Sequence, residues 1–137
     1  MSITEHEQQR ILFEWAEWQK NKYPELEMLI AVPNGGKRDI VTAVRLKQTG
    51  TKAGFPDIFL FCPRGAYSGL AIELKVKPNK PTEKQKWWLE NLRKQNYAAH
   101  VCYGADEAIN VIETYLSGKR WNQRDLLDWL AWKQTKT

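Results

Sequence analysis

The fold is decided by residues 54–76, GFPDIFLFCPRGAYSGLAIELKV, in which two apolar runs flank a turn-rich connector. The runs at 58–62 and 70–76 are rich in β-branched, aromatic and aliphatic residues, a pattern that is typical of buried strands. The connector at 63–69 contains one proline and two glycines. The sequence therefore predicts an antiparallel hairpin.

Three charged residues accompany these runs: Asp57 precedes the first, and Glu73 and Lys75 interrupt the second. A buried carboxylate costs several kcal/mol unless it is paired or binds a metal. Side chains alternate between the faces of a strand, and all three positions are odd-numbered. If Asp57 lies opposite Glu73 or Lys75, the three share one face, with paired Cβ atoms about 5 Å apart.

Two carboxylates at that separation can share a divalent cation such as Mg²⁺, which prefers oxygen ligands. Lys75 would then lie beside the metal, where it could contact a phosphate or orient an attacking water. The alternative is a Glu–Lys surface pair on an edge strand, but that interpretation leaves Asp57 unexplained.

The composition is that of a single globular domain of 137 residues with 42% hydrophobic residues and a net charge of +5. The charge is compatible with a nucleic-acid partner but does not establish one. No apolar run approaches the roughly 20 residues that span a bilayer, so we expect no membrane partner. Cys62 and Cys102 stand in apolar strand contexts, and we expect reduced, buried thiols in an intracellular, cytoplasmic protein rather than a disulfide.

Local patterns predict an alternation of helices and strands along the chain. The predicted elements are a helix from a Ser2 or Thr4 cap to about residue 23, a strand at 26–32, a helix at 37–48, the hairpin, a helix after the N-cap Thr82, a strand at 97–103 and a helix at 105–116. This order favours an α/β fold in which a mixed central sheet is flanked by helices.

The C-terminal residues 119–137 are predicted to form a separate, tryptophan-rich helical tail. Trp121, Trp129 and Trp132 occur there among leucines and charged residues. A tail of this composition is expected to pack against something, either its own domain (residues 1–118) or a dimer partner.

The motif at 54–57, Gly-Phe-Pro-Asp, followed by Glu73-Leu74-Lys75 and then Gln85, resembles the signature of the PD-(D/E)xK nuclease superfamily. More closely, the set resembles its VRR-NUC branch. The acidic first helix, the turn at 33–36 and Thr82 also stand in matching order, so the resemblance runs from about Thr4 to about Leu116. It implies a restriction-endonuclease-like core in residues 1–118 and Mg²⁺- or Mn²⁺-dependent hydrolysis of DNA phosphodiester bonds.

The resemblance also implies roles for individual residues. Asp57 and Glu73 would be metal ligands, the backbone carbonyl of Leu74 a further ligand, and Lys75 the catalytic lysine. Gln85 would hydrogen-bond the water, the lysine or a ligand, and the alternative for it is a plain exposed glutamine on a helix.

Members of the family usually add a glutamate from the first helix, and two residues compete for that role. Glu5 lies one and two turns before Gln9 and Leu12 on the predicted inward stripe, so we prefer it to Glu7.

Basic residues cluster on both sides of the motif, where they could contact phosphates without reading sequence. Asn34, in the predicted turn, would either contact DNA or simply accept the turn conformation. The predicted DNA-binding residues are Asn34, Lys37, Arg38, Arg45, Lys47, Lys52, Lys77, Lys80 and Lys84. The alternative for either basic cluster is a solvated helix face.

Stand-alone chains of this kind are similar to phage and bacterial enzymes that act on branched DNA as dimers. The sequence is therefore interpreted as a metal-dependent, structure-selective DNA endonuclease, specifically a homodimeric Holliday-junction resolvase. A flap or nicking nuclease, a restriction-like enzyme, a non-catalytic DNA-binding module and a recombination accessory protein are the alternatives.

Overall fold

The computed structural model of the chain describes residues 3–33, 39–118, 131, 134 and 135. Its elements are α1 (Glu5–Gln19), a 3-10 helix (Pro24–Met28), β1 (Leu29–Ala31), α2 (Ile40–Gln48), β2 (Ile58–Leu60), β3 (Leu70–Lys75), α3 (Glu83–Lys94), β4 (Ala98–Tyr103) and α4 (Ala105–Leu116). Within the described ranges, no helix combines the length and apolar character that a bilayer crossing requires.

The four strands form one mixed sheet in the order β1-β2-β3-β4. The predicted hairpin is confirmed: β2 and β3 are antiparallel, with Ile58 opposite Ile72 and Leu60 opposite Leu70. β1 pairs antiparallel with β2, and β4 pairs parallel with β3. The predicted α/β class, a mixed sheet flanked by helices, is therefore confirmed.

The helices divide between the two faces of the sheet according to the alternation of side chains along the strands. Even-numbered residues of the hairpin, such as Ile58 and Ile72, pack in one core with α1 and α4. Odd-numbered residues, such as Phe59 and Ala71, pack in a second core with Leu89 of α3. Glu73 and Lys75 have odd numbers as well, so they lie on the side of the sheet that α3 covers.

Two predicted boundaries are wrong around Pro24. The first helix ends at Gln19 rather than near Tyr23, and residues 26–28 belong to the 3-10 helix rather than to a strand. Proline favours the first position of a helical turn because its fixed φ and missing N–H suit that position. The strand that follows is only three residues long.

The second predicted helix begins later than expected, at Ile40. Asp39 has an extended conformation and accepts a hydrogen bond from the Thr42 backbone N–H at 2.7 Å, which makes it the N-cap. Residues 34–38, including the predicted turn residue Asn34 and the basic residues Lys37 and Arg38, lie outside the described part of the chain.

The open side of β4 is occupied by helix side chains. Arg93 donates two hydrogen bonds, of 3.0 and 2.8 Å, to the carbonyl of Ala99. Farther along the strand, the backbone N–H of Tyr103 donates to Glu107 at 3.1 Å. Among the described strands, β4 is therefore an edge strand of the sheet. Two of its outward backbone groups, the Ala99 carbonyl and the Tyr103 N–H, are already hydrogen-bonded to side chains.

Both cysteine residues are buried, as predicted, and no disulfide joins them. The tryptophan-rich tail predicted at 119–137 lies outside the described residues except for positions 131, 134 and 135. Its packing stays a prediction.

Candidate active site

The hairpin places Asp57, Glu73 and Lys75 together where β2 and β3 meet the start of α3. The Lys75 Nζ lies 3.6 Å from the Glu73 Oε2, and only 1% of Glu73 is exposed. One oxygen of Asp57 accepts a hydrogen bond of 3.1 Å from the backbone N–H of Leu74. The two carboxylates thus approach each other across the hairpin, and the carboxylate of Asp57 is oriented by the backbone of the opposite strand.

The loop that carries Asp57 presses against α3 at Gly54. This glycine has a φ of +87°, a conformation that L side chains rarely adopt, and a Cβ at this position would lie 2.8 Å from the backbone carbon of Lys84. The loop can therefore approach the helix this closely only with glycine at this position. The same contact holds Asp57 and the first turn of α3 in a fixed relation.

Gln85 connects the start of α3 to the carboxylates. Its Oε1 accepts from the backbone N–H of Thr82 at 2.8 Å, while Thr82 caps the helix through the Gln85 N–H. Its Nε2 donates to the Oε2 of Glu73 at 3.4 Å. Gln85 is therefore both a capping residue and a partner of Glu73, and it is not the plain exposed glutamine of the alternative interpretation.

The electrostatics of the site centre on Glu73. Burial, a hydrogen bond with the Asp57 carboxyl and the charge of Asp57 together raise the pKa of Glu73 to about 9, and Lys75 opposes this shift. The other oxygen of Glu73, Oε1, is the one buried side-chain polar atom without a hydrogen-bond partner among the described residues. A carboxylate with an unsatisfied buried oxygen beside a second carboxylate is a costly arrangement in a metal-free protein.

These features fit a hard divalent cation. Two carboxylates offer oxygen ligands, and a cation between them would offset their repulsion and supply the partner that Oε1 lacks. In the described ranges, however, no three Asp, Glu, His or Cys side chains are grouped closely enough to hold a metal. The protein side chains of the candidate metal site are therefore the pair Asp57 and Glu73.

Glu5 and Glu7, the two candidates for an additional ligand, have different surroundings. Glu5 accepts hydrogen bonds from the backbone N–H of Val76 at 3.4 Å and from the Asn79 side chain at 3.1 Å. It reaches the end of β3 from α1, and it forms no group of three possible ligands with the carboxylate pair in the described part of the chain. Glu7 is exposed and completes a capping box with Thr4.

The predicted DNA-binding residues that the structure describes are all exposed but not all close together. Lys47, Lys52 and Lys84 come from α2, the following loop and α3, and they line one cavity. Arg45 lies elsewhere on α2, and Lys77 and Lys80 lie in the loop between β3 and α3.

Two residues that fix the position of α1 near the end of β3 and the start of α4 were not predicted from the sequence. Asn79 holds Glu5, and Gln8 accepts a hydrogen bond of 2.7 Å from the backbone N–H of Ala105, which ties α1 to the start of α4. Neither belongs to a recognisable motif, because each acts on a partner more than 70 positions away in the chain.

Comparison with known proteins agrees with this geometry. Residues 2–106 match the family model described as the VRR-NUC domain. A solved structure titled "VRR_NUC domain protein" has a TM-score of 0.78 and 34% sequence identity, over 89% of this chain and 95% of that one. No curated protein gave a significant match. The chain belongs to the VRR-NUC domain family, which places it among nucleases of the PD-(D/E)xK type.

Proposed function

We propose that this protein is a Mg²⁺- or Mn²⁺-dependent endonuclease that hydrolyses phosphodiester bonds in branched DNA, as a homodimeric resolvase of four-way junctions. The observation that carries the catalytic part is the pairing of Asp57 with the buried Glu73, with Lys75 beside them. Membership of a nuclease family supports a nucleic-acid substrate.

In the proposed reaction, Asp57 and Glu73 would hold the cation, and the carbonyl of Leu74 would be a further ligand. When bound there, the cation would polarise a non-bridging phosphate oxygen and lower the pKa of a water ligand. Asp57 keeps its orientation through the Leu74 N–H, and Glu73 keeps its own through Gln85. Neither carboxylate then needs to reorganise when substrate arrives.

Lys75 supplies positive charge where negative charge accumulates on the phosphate during attack. Its Nζ is held near Glu73 at 3.6 Å, and its side chain is largely buried. A buried ammonium keeps much of its effect because water screens it little. We propose that Glu5 supports the end of β3 next to Lys75 through Val76 and Asn79, without completing a set of three carboxylates.

The proposal of a dimer rests on substrate geometry, because paired cuts across a junction suit two sites related by a two-fold axis. Analytical ultracentrifugation of the full chain and of a chain ending at Gly118 would test it. We expect a dimer that the truncation weakens if the tail contacts a second copy, and a monomeric full chain would contradict the homodimer.

A cleavage assay would test this function: purified protein is incubated with a labelled four-way junction, 5′ flap, splayed arm or linear duplex, each in Mg²⁺, Mn²⁺ or EDTA. We expect symmetric, metal-dependent cuts in the junction. Asp57→Asn and Lys75→Ala should each reduce cleavage by about 100-fold or more while changing DNA binding only a few-fold. Asp106→Asn, at an exposed carboxylate of α4, is the matched control.

The other outcomes separate the alternatives. Metal-dependent cutting of flaps or plain duplex would retain the chemistry and refute the junction specificity. Binding without cleavage under any metal would refute the nuclease and leave a DNA-binding module. Equal cleavage by Asp57→Asn and wild type would refute the assignment of the site.

A further inference from the structure

A second feature lies beside the candidate active site: a cavity between α2 and α3, which we call the Trp cavity. It has a volume of about 610 Å³ and is lined by Leu46, Lys47, Lys52, Lys84, Trp87 and Trp88, among others. Three lysines and no carboxylate occur among the described lining residues. The cavity therefore combines an aromatic wall with positive charge.

The two tryptophans are held in a fixed arrangement. The Nε1 of Trp88 donates to the carbonyl of Ala53 at 3.1 Å, and its ring meets Phe55 edge-on at 5.0 Å. The Trp87 ring stands at 88° to Trp88, with the centroids 5.2 Å apart. Trp87 nevertheless remains 55% exposed. A large aromatic ring that is both oriented by its neighbours and open to solvent is suited to stacking with a flat ligand.

The Trp cavity shares two walls with the candidate active site. At about 100° per residue, Lys84, Trp87 and Trp88 lie within roughly 100° of arc, next to the helix face that carries Gln85. The loop from Ala53 to Asp57 forms the other shared wall, since Trp88 binds its first residue and Asp57 is its last. The cavity is therefore within reach of a polynucleotide bound at the carboxylates.

We propose that the Trp cavity binds an unpaired base of the nucleic-acid substrate, with Trp87 as the stacking surface and the lysines on the neighbouring phosphates. This inference rests on the proposed function and adds that a nucleotide at the branch point of the junction leaves the base stack beside the cleaved bond. Every base has a π-face, so stacking on an aromatic side chain needs no particular sequence. Inside an intact duplex both faces of a base are covered, so only a nucleotide released from the stack can enter.

The test is a binding measurement in EDTA, where no cleavage occurs. Fluorescence anisotropy would compare a labelled oligothymidylate of about 12 nucleotides with an abasic strand of the same length and charge. We expect the abasic strand to bind at least about fivefold more weakly to the wild-type protein, as the loss of one or more stacked bases requires.

Trp87→Ala should remove this preference, and Trp87→Phe should keep part of it. Trp18→Ala is the matched control, because Trp18 is 85% exposed on α1 and lies outside the cavity, and it should leave the preference unchanged. Circular dichroism would establish that each variant is folded, as expected for an exposed position.

Equal affinity of the wild-type protein for the two strands would overturn the inference, and so would an undiminished preference in Trp87→Ala. Either result leaves metal-dependent cleavage untouched, because the probe reports on bases and not on hydrolysis. Conversely, a chain that prefers the base-bearing strand through Trp87 but cuts no substrate would support the cavity and refute the nuclease.

Discussion

Replacing Glu73 by glutamine should stabilise the metal-free protein, and increasingly so as the pH rises. The buried carboxyl has a folded-state pKa of about 9 against an ordinary value of 4.5. Between these values the unfolded chain releases the Glu73 proton, whereas the folded chain retains it. The stability of the wild-type protein therefore falls as the pH increases through this window. Glutamine has nearly the same shape and no proton to lose.

The size of the effect follows from the pKa shift. One pKa unit corresponds to about 1.4 kcal/mol. Between the ordinary pKa of 4.5 and pH 7, the Glu73 carboxyl can therefore lower the free energy of unfolding by at most about 3 kcal/mol. Water entering the site and the nearby Lys75 reduce this figure, and we expect Glu73→Gln to gain about 1–2 kcal/mol at neutral pH. For a chain of this length, that gain corresponds to a rise of about 5 °C in the melting temperature.

Thermal melts in EDTA between pH 5 and pH 8.5 would measure this difference. Glu90→Gln, at an exposed position of α3, is the control and should show no such trend. Adding millimolar Mn²⁺ should then reverse the order, since the cation stabilises only the protein that retains both carboxylates. A difference that does not change with pH, or a glutamine variant less stable throughout, would refute the account of Glu73.

Four further substitutions test how the site is held. Glu5→Gln should lower metal-dependent cleavage while Glu7→Gln, which keeps a capping side chain, should not; equal activity in cleavage assays would contradict our preference. Gly54→Ala should destabilise the fold by about 1–3 kcal/mol in denaturant melts, because of its positive φ and the clash with α3. An unchanged midpoint would show that the loop moves away freely. Gln85→Glu should lower kcat because it adds a third carboxylate beside the pair, while the helix cap and the melting temperature should change little. An unchanged kcat would argue against the contact between Gln85 and Glu73.

The sequence allowed much of the fold to be predicted because the deciding signals are local. The alternation of charge and apolar residues in the hairpin placed Asp57, Glu73 and Lys75 on one face, and Thr82 marked the start of α3. The last helix begins and ends at its predicted residues, Ala105 and Leu116. Each of these features depends on neighbours within a few positions.

The remaining features depend on contacts between distant segments, which one sequence does not reveal. Nothing local indicates that Asn79 holds Glu5 or that Gln85 reaches Glu73 while capping its own helix. The surroundings of α2 are a further example. Ile40 and Val41 are apolar, yet no residue of α2 is buried by the described part of the chain. A periodic pattern shows that a face is apolar, but it does not show what covers that face.

The satisfied groups on the open side of β4 bear on how copies of this protein can meet. A bare outer strand invites another chain to extend the sheet by hydrogen bonding, and this is a common route to aggregation. Here Arg93 occupies the Ala99 carbonyl and Glu107 occupies the Tyr103 N–H. A second sheet could join only after both bonds broke and two charged side chains moved aside. Contacts between copies are therefore favoured through helices and loops rather than through strand pairing along β4.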